Sequence, residues 1–478
     1  MAIKRELLIG GTSVPARSGR TTEDLDPSTG AVYAIVAAAG PEDVTAAVDA
    51  AHDAFPLWAG LAPAARRDVL VKAADLLESR LEEYTAAMIA ETGGTRNWAR
   101  QNVFVTARNM REAATAATAP AGHIPSTDRR QLSLAMVEPA GVVVGIVPWN
   151  APLILEARAM MVALAVGNTV VLRPSEDAPI TSGLFLADVL AEAGLPAGVL
   201  NVVTNDREDA PAIIEALIAD PRVRRVTFTG STGVGRIIGE LTGKYLKPAI
   251  LELGGKNPII VLADADVDHA VREIVYGRYN NSGQICLSVD RIILHQDIAE
   301  EFTEKFVKAA AVAPAGDPDA PDTLVGGLIN PRSAERVAGL VADAVSKGAR
   351  VLLGGGPADG NRYPATVIDG LTPQMRIYYE ETFGPVASLY TVDSDEAALA
   401  LANDTEYGLA SGVFTRDTLK ALSFARRLRH GSTHVNTHTL MEEPTAPMGG
   451  MKDSGYGSFG GSREIEFFTE LRWVTIAE

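Results

Sequence analysis

From residue 141 to residue 253 the chain alternates short, wholly apolar runs with amphipathic stretches, and few architectures accommodate that rhythm. Residues 141–147 are a β-branched run, and comparable runs return at 169–172, 199–203, 225–228 and 249–253. Between them, 151–166, 180–193, 210–218 and 234–241 carry apolar residues at helical spacing, the first stopped by Gly167-Asn168. A strand that is apolar on both faces must be covered on both, so it belongs in a parallel sheet sandwiched by helices. The expected fold class is α/β, a doubly wound sheet that receives ligands at the carboxyl ends of its strands.

The flanking segments fit around such a sheet. Pro41-Glu42-Asp43 opens a helix with acidic residues in its first turn, followed by Val44, Val48, Ala51 and Phe55 on one stripe. Further helices are expected at 64–79, 81–91 and 98–119, after an exposed lead-in over 1–40. Residues 131–138 alternate through Leu132, Leu134 and Met136, which predicts a strand with one open face, suited to an edge between subunits. Strand–helix alternation resumes after Cys286, giving a second α/β domain, then a glycine-rich stretch over 447–461 and a final strand over 467–476. A chain of 478 residues exceeds one core, so two or three domains are expected.

Composition narrows the function classes. With 43 basic against 60 acidic residues, the net charge of -17 argues against nucleic acid or an anionic membrane as partner. The apolar region 151–172 is interrupted by Glu156, Arg158, Gly167 and Asn168, so it predicts a buried helix and strand, not a membrane span. One cysteine excludes a disulfide framework and fits a reducing cytoplasm; the first ten residues show no secretory pattern.

That cysteine is where the chemistry gathers. Asn280-Asn281-Ser282-Gly283-Gln284-Ile285-Cys286 delivers a thiol from a glycine- and amide-rich segment, Glu252 stands upstream in Leu251–Lys256, and Pro148-Trp149-Asn150 closes an apolar run. Thiol, amide and carboxylate are the groups needed to attack a carbonyl, hold its oxyanion and activate water. Each alone has a plainer reading; a lone cysteine is ordinarily a small buried hydrophobe. Thr229-Gly230-Ser231-Thr232-Gly233-Val234-Gly235 joins a predicted strand to a predicted helix, a place where backbone N–H groups meet phosphate, although its spacing departs from the usual dinucleotide fingerprint. Arg173-Pro174-Ser175-Glu176 ends a neighbouring strand, where a cation and a carboxylate suit a ribose or, more plainly, solvent. His430, His434 and His438 would form a metal set only on a helix, and the residues between them favour a strand, where residues four apart lie roughly 13 Å from each other. No metal is expected.

Taken in order, Pro148-Trp149-Asn150, Arg173–Glu176, Phe228–Ser231, Glu252–Lys256, Gly283–Cys286 and Glu380-Glu381-Thr382-Phe383-Gly384-Pro385 resemble the motifs of the NAD(P)-dependent aldehyde dehydrogenase superfamily. Asn150-Ala151-Pro152, Arg158, Tyr245–Pro248 and the tail from Glu443-Pro444 to Trp473 are most similar to the salicylaldehyde, vanillin and benzaldehyde dehydrogenases. The resemblance implies a Rossmann-like cofactor domain (1–120 and 140–251), a catalytic domain (252–450) and a small β oligomerisation flap (121–139 and 460–478). It implies Cys286 as nucleophile, Glu252 as the base for the deacylating water, and Asn150 with the Cys286 N–H as oxyanion hole. NAD, with NADP possible, would lie on Val147, Pro148, Trp149, Gly230, Ser231 and Leu253, with Arg173, Ser175, Glu176 and Glu381 toward the riboses and Phe383 toward the nicotinamide.

Arg173 stands where the family usually has lysine, and Ile285 leaves Cys286 without a neighbouring thiol. On a helical wheel Arg158 falls eight residues, about 800° of rotation, beyond Asn150 and so within roughly 80° of its direction. That lets it border the same cavity, where the plainer reading is an arginine paired with a carboxylate; the resemblance implies instead a partner for a phenolic oxygen, with Trp98, Leu155 and Met448 as candidate apolar walls. The implied activity is oxidation of an aromatic, hydroxylated aldehyde to its acid by a homodimer or homotetramer. Aliphatic or semialdehyde substrates, a CoA-acylating enzyme, a cofactor-independent cysteine hydrolase and a non-catalytic scaffold are the alternatives.

Overall fold

The computed structural model describes residues 2–125 and 131–477, so residues 126–130 of the expected flap lie outside the described residues. Its principal sheet has eight strands in the order Gly455–Tyr456, Ala249–Glu252, Val223–Thr229, Val142–Ile146, Thr169–Arg173, Leu200–Val202, Leu7–Ile9 and Thr12–Val14. The five strands from Ala249–Glu252 to Leu200–Val202 run parallel. Every residue of Val142–Ile146 and Thr169–Arg173 is buried. Alternate side chains serve two cores: Val143, Val170 and Leu172 pack among the helices Arg96–Thr115 and Pro152–Ala165. Val142, Val144 and Val171 pack among Pro41–Ala59 and Ala210–Ala219. That is the physical content of the β-branched runs.

Strand order is what locates a site. From Val142–Ile146 the chain builds outward through Thr169–Arg173 and Leu200–Val202, then returns to place Val223–Thr229 on the other side. The order reverses between Val142–Ile146 and Val223–Thr229, and a crevice opens outside their carboxyl ends. Residues 147–150 and 230–233 leave the sheet there.

A second sheet orders Arg350–Leu353, Thr366–Asp369, Val386–Val392, Arg291–His295, Pro258–Val261, Ala410–Phe414 and Ser432–Val435, parallel except at its first pair. It confirms the second α/β layer, with strands at 258–261, 366–369, 386–392 and 410–414 that the apolar patterning did not single out. Helices Val267–Tyr279 and Gln296–Ala311 cover one face, Asp395–Asn403 and Thr418–Arg427 the other.

Two expectations need correction, and the expected edge strand is found. The lead-in is not wholly exposed: Leu7–Ile9 pairs with Leu200–Val202, and Leu7 is fully buried. The predicted helix at 180–193 begins with a π-helical turn, Ile180–Leu184, before Phe185–Ala193. The strand Gln131–Pro139 pairs antiparallel with Thr469–Ala477, but Leu132 and Met136 remain exposed while Ser133 and Ala135 are buried. Trp473 reaches across to donate to Ser133 Oγ at 2.8 Å, which explains why the small residues take the covered side.

Candidate active site

The helix Val267–Tyr279 ends in a turn that no regular element could make. Asn281, Ser282 and Gly283 all have positive φ (49°, 57° and 70°). At Gly283 a Cβ would come within 2.6 Å of the Gly384 carbonyl oxygen, so glycine is required there. Left-handed non-glycine residues are unfavourable, and this pair is held by its surroundings. The Ser282 N–H donates to Leu324 O (2.9 Å), the Gly326 N–H to Ser282 Oγ (2.9 Å), and the Ile329 N–H to Gln284 Oε1 (3.0 Å). Arg278, fully buried, donates to Val289 O and Gly384 O, each at 2.6 Å. Asn257 Nδ2 donates to Cys286 O at 2.7 Å. The amide-rich segment is thus a clamp that fixes the backbone carrying Cys286.

Asn150 is pinned from both sides. Its side-chain amide donates to Gln284 O at 3.1 Å, and its own carbonyl accepts from Trp98 Nε1 at 2.9 Å. Glu252 ends the strand Ala249–Glu252, is 1% exposed, and neither carboxylate oxygen has a hydrogen-bond partner among the described residues. Its charge partner among the described residues is Arg158, whose Nη1 lies 3.6 Å from Glu252 Oε2. Burial raises the Glu252 carboxyl above its ordinary range and Arg158 partly offsets this. Burial, and then the neighbouring Glu252, push the Cys286 thiol well above its usual value. The three groups expected from sequence are therefore assembled, with a thiol that rests protonated.

Cys286 and Asn150 border a cleft of about 450 Å³ at the reversal point of the first sheet, and Glu252 is buried behind the thiol without lining it. Pro148, Trp149, Asn150, Gly230, Ser231, Leu253, Cys286, Glu381 and Phe383 all line it. Ser231 caps the helix Thr232–Lys244, its Oγ accepting from the Val234 N–H, so the helix start faces the cleft with its free N–H groups. Glu381 accepts from the Gly255 N–H at 2.9 Å, and burial lifts its carboxyl to about 7. Phe383, at φ 44°, meets Trp149 edge-on with centroids 5.8 Å apart. Lys256, fully buried, ties this wall to the thiol segment by pairing with Asp290 (2.7 Å) and donating to Thr382 Oγ1 (3.1 Å). A helix N-terminus for a diphosphate, a carboxylate for ribose and aromatic edges beside the thiol fit a nicotinamide dinucleotide.

Not every expected residue reaches the cleft. Val147 is buried beneath it, and Arg173, Ser175 and Glu176 sit at the end of the adjacent strand without lining it. Arg173 instead pairs with Glu176 and donates to Asn205 Oδ1 at 2.8 Å. Ser333, Arg336 and Tyr407 line the cleft without having been expected. Arg336 donates to the carbonyls of Glu381 and Thr382, but nothing local in the sequence marks it. Of the apolar walls, Trp98 and Leu155 border neither this cleft nor the neighbouring cavity; Trp98 holds Asn150 instead. Met448 and Arg158 do line that second cavity, of about 110 Å³. The helical-wheel argument for Arg158 fails in its premise, because the helix begins at Pro152 and Ala151 (φ −137°, ψ 62°) breaks the rotation from Asn150. Its pairing with Glu252 and with Glu442 Oε1 (Nη2, 2.8 Å) brings in the plainer reading as well. Among the described residues no group of three His, Cys, Asp or Glu side chains could hold a metal ion. His434 lies on the strand Ser432–Val435, as its sequence context suggested.

A doubly wound sheet with a dinucleotide cleft, lined by a thiol and an amide and backed by a buried carboxylate, defines a nicotinamide-dependent oxidoreductase. The chain belongs to the aldehyde dehydrogenase family, whose model matches residues 14–474. It is 50% identical over 471 residues to a vanillin dehydrogenase of Pseudomonas sp., covering 98% of this chain and 97% of the relative. It is 39% identical over 467 residues to an NAD(+) benzaldehyde dehydrogenase of Pseudomonas putida, covering 97% and 95%. Among solved structures, a salicylaldehyde dehydrogenase from Pseudomonas putida complexed with salicylaldehyde superposes with a TM-score of 0.97 at 41% identity, covering 100% of this chain and 98% of that one. No helix among the described residues is long and apolar enough to cross a membrane.

Proposed function

We propose that this enzyme oxidises hydroxylated benzaldehyde-type aldehydes to their acids, with NAD preferred and NADP accepted. The observation that carries the reaction is the juxtaposition of Cys286 and Asn150 at the cleft, with Glu252 buried beside the thiol. Cys286 gives up its proton and adds to the aldehyde carbon, and the second N–H of the Asn150 amide with the Cys286 N–H takes the oxyanion. Bound in the cleft, the oxidised nicotinamide supplies the acceptor for the hydride. The resulting thioester on Cys286 is cleaved by water that Glu252 deprotonates, a carboxyl that burial makes more basic than an ordinary one. Its presence beside the thiol favours water over CoA as acyl acceptor.

The aromatic preference rests on the relatives' names and on Arg158, a buried cation within reach of Glu252. NAD preference rests on Glu176, whose carboxylate would repel a 2′-phosphate while Arg173 is occupied by Glu176 and Asn205. A homodimer or homotetramer is supported by exposed Leu132, Met136 and Ile476 on the small sheet, and a reducing cytoplasm by the single free Cys286. One panel tests the core of this reading: salicylaldehyde, vanillin, 4-hydroxybenzaldehyde, benzaldehyde, acetaldehyde and hexanal, each with NAD and NADP. Hydroxylated aromatics should lead on kcat/KM with NAD; leadership by acetaldehyde or hexanal, or by NADP, overturns the corresponding part.

A further inference from the structure

The reaction proposed above needs two stretches of backbone in register: the segment that delivers Cys286, and the wall over residues 381–384, which brings Phe383 to the same cleft. The first follows the helix Val267–Tyr279 and the second precedes the strand Val386–Val392, so no shared element fixes their spacing. From the thiol side two buried side chains reach across, one to each flank of Phe383. Asp290 accepts from the Thr382 N–H at 3.0 Å and from Thr382 Oγ1 at 2.8 Å. Arg278 donates to Gly384 O at 2.6 Å, and also to Gly283 O at 3.2 Å and Val289 O at 2.6 Å, on either side of Cys286. Between these ties Phe383 stands at φ 44°, a left-handed conformation that persists in a residue with a Cβ only where its surroundings enforce it. Its ring meets Trp149 edge-on, so the same backbone angle decides where the ring stands in the cleft.

We infer that Arg278 is a positioning residue for hydride transfer: by tying Gly283 and Val289 to Gly384 it sets the gap between the Cys286 thiol and the Phe383 wall. In that step the C–H bond of the adduct on Cys286 breaks, the hydrogen leaves with both electrons to the oxidised nicotinamide, and the carbon becomes the thioester. The inference rests on the reaction proposed above and adds to it a residue that touches no reacting atom, since Arg278 is fully buried and lines no part of the cleft. Three carbonyls from separate points of the chain converge on one planar fork, which a single ammonium does not match. Asp290 supplies the countercharge, facing Arg278 as well as Lys256. The fit leaves no slack at the thiol turn, because a Cβ on Gly283 would run into both Arg278 Nη2 and Gly384 O. Turn, guanidinium and wall are therefore in mutual contact, and a shift of one is passed to the others.

The test separates the step that needs both segments from the step that needs the thiol alone. Acylation of Cys286 by 4-nitrophenyl acetate, read as the first turnover of nitrophenolate, proceeds with no cofactor present. Oxidation of benzaldehyde, read as the first turnover of NADH, needs the same thiol and the cofactor in register with it. Both are followed by stopped flow in wild type, Arg278→Met and Arg278→Lys, the oxidation also with benzaldehyde deuterated at the formyl carbon. A misplacement on the order of 1 Å can cost about 10²-fold in rate, so in Arg278→Met oxidation should fall at least about tenfold further than acylation. Deuteration should slow the variant's first turnover at least as much as the wild type's, and Arg278→Lys, which keeps the charge and part of the fork, should recover part of the difference. The ratio of the two rates is taken on one preparation, so a loss of folded protein cancels. Equal losses in the two rates overturn the inference, and so does a selective loss of oxidation that is insensitive to deuterium. Should Arg278→Met not fold, the same two readings on Arg278→Lys decide. If wild type forms no NADH from benzaldehyde, it is the proposed reaction that fails.

Discussion

Replacing Asn150 with alanine is the sharpest probe of the assembled site, because the proposed reaction gives that side chain a second task beside its structural one. One N–H of its amide donates to Gln284 O at 3.1 Å; the other is left for an oxyanion on the substrate. Loss of an oxyanion donor typically removes about 2.7–4 kcal/mol of transition-state stabilisation, or ~10²–10³ in kcat. The structural task is smaller. Asn150 is 5% exposed, so its truncation leaves the Gln284 carbonyl short of a donor, at about 1–3 kcal/mol of stability. Steady-state kinetics with an aromatic aldehyde and NAD should show kcat reduced by two to three orders of magnitude (~10²–10³) with KM much less affected. A thermal melt of the same preparation should show a cooperative transition lowered by a few degrees. Folded protein with kcat near wild type would refute the oxyanion assignment. A loss confined to KM would refute it equally, since it would make Asn150 a ground-state contact.

Lys256→Met leaves Asp290, 2% exposed, without its ion-pair partner and with only Arg278 and the Thr382 donors to answer its charge, and should cost up to about 3–5 kcal/mol in urea unfolding; a loss below roughly 1 kcal/mol would show that the pair is not what joins the two walls of the cleft. His430 is buried with both ring nitrogens unpartnered, and burial, aided by Lys452 and Arg291, holds its pKa down at about 3 against an ordinary 6.5. The unfolded chain thus takes up a proton that the native state refuses, so stability should fall as pH drops from 6.5 toward 3, by up to roughly 1.4 kcal/mol per unit, and His430→Leu should flatten that slope. Equal acid sensitivity in variant and wild type would count against it. Light scattering should give a dimer or tetramer, which Leu132→Asp with Met136→Asp should weaken; a stable wild-type monomer would remove the assembly claim.

The first sheet was legible because its strands are nearly pure Val, Ile and Leu, so the local pattern carries the whole burial requirement. Two of the four strands missed in the second sheet were hidden for a complementary reason. Ala410–Phe414 contains Ser411 and Gly412, and Val386–Val392 contains Ser388, yet all are buried. Ser411 is accepted there because the neighbouring strand supplies a partner, Ser432 O for its Oγ, whereas the Ser388 hydroxyl is buried with no partner among the described residues. Only the fold provides such a partner. The cleft divides in the same way. Residues carried by contiguous motifs, from Pro148 to Asn150 and from Gly230 to Ser231, were found, whereas Ser333, Arg336 and Tyr407 arrive from separate segments with no pattern of their own.

Arg158 shows how far a residue type can be read without its partners. A charged residue in an apolar helix signals a buried site in the sequence, but the sign of the environment is set by Glu252 and Glu442, which only folding brings to it. A buried ion pair broken on one side leaves the other charge stranded, typically at 3–5 kcal/mol. In Arg158→Leu two carboxylates would be left facing each other, one of them the general base. Their repulsion would raise the pKa of Glu252, which Arg158 now holds down, whatever the substrate. Loss of activity in that variant would therefore report on the base as much as on a phenol. Glu442→Gln keeps the guanidinium beside Glu252 and alters only the partner on the cavity side, so a change specific to hydroxylated substrates can be assigned to recognition.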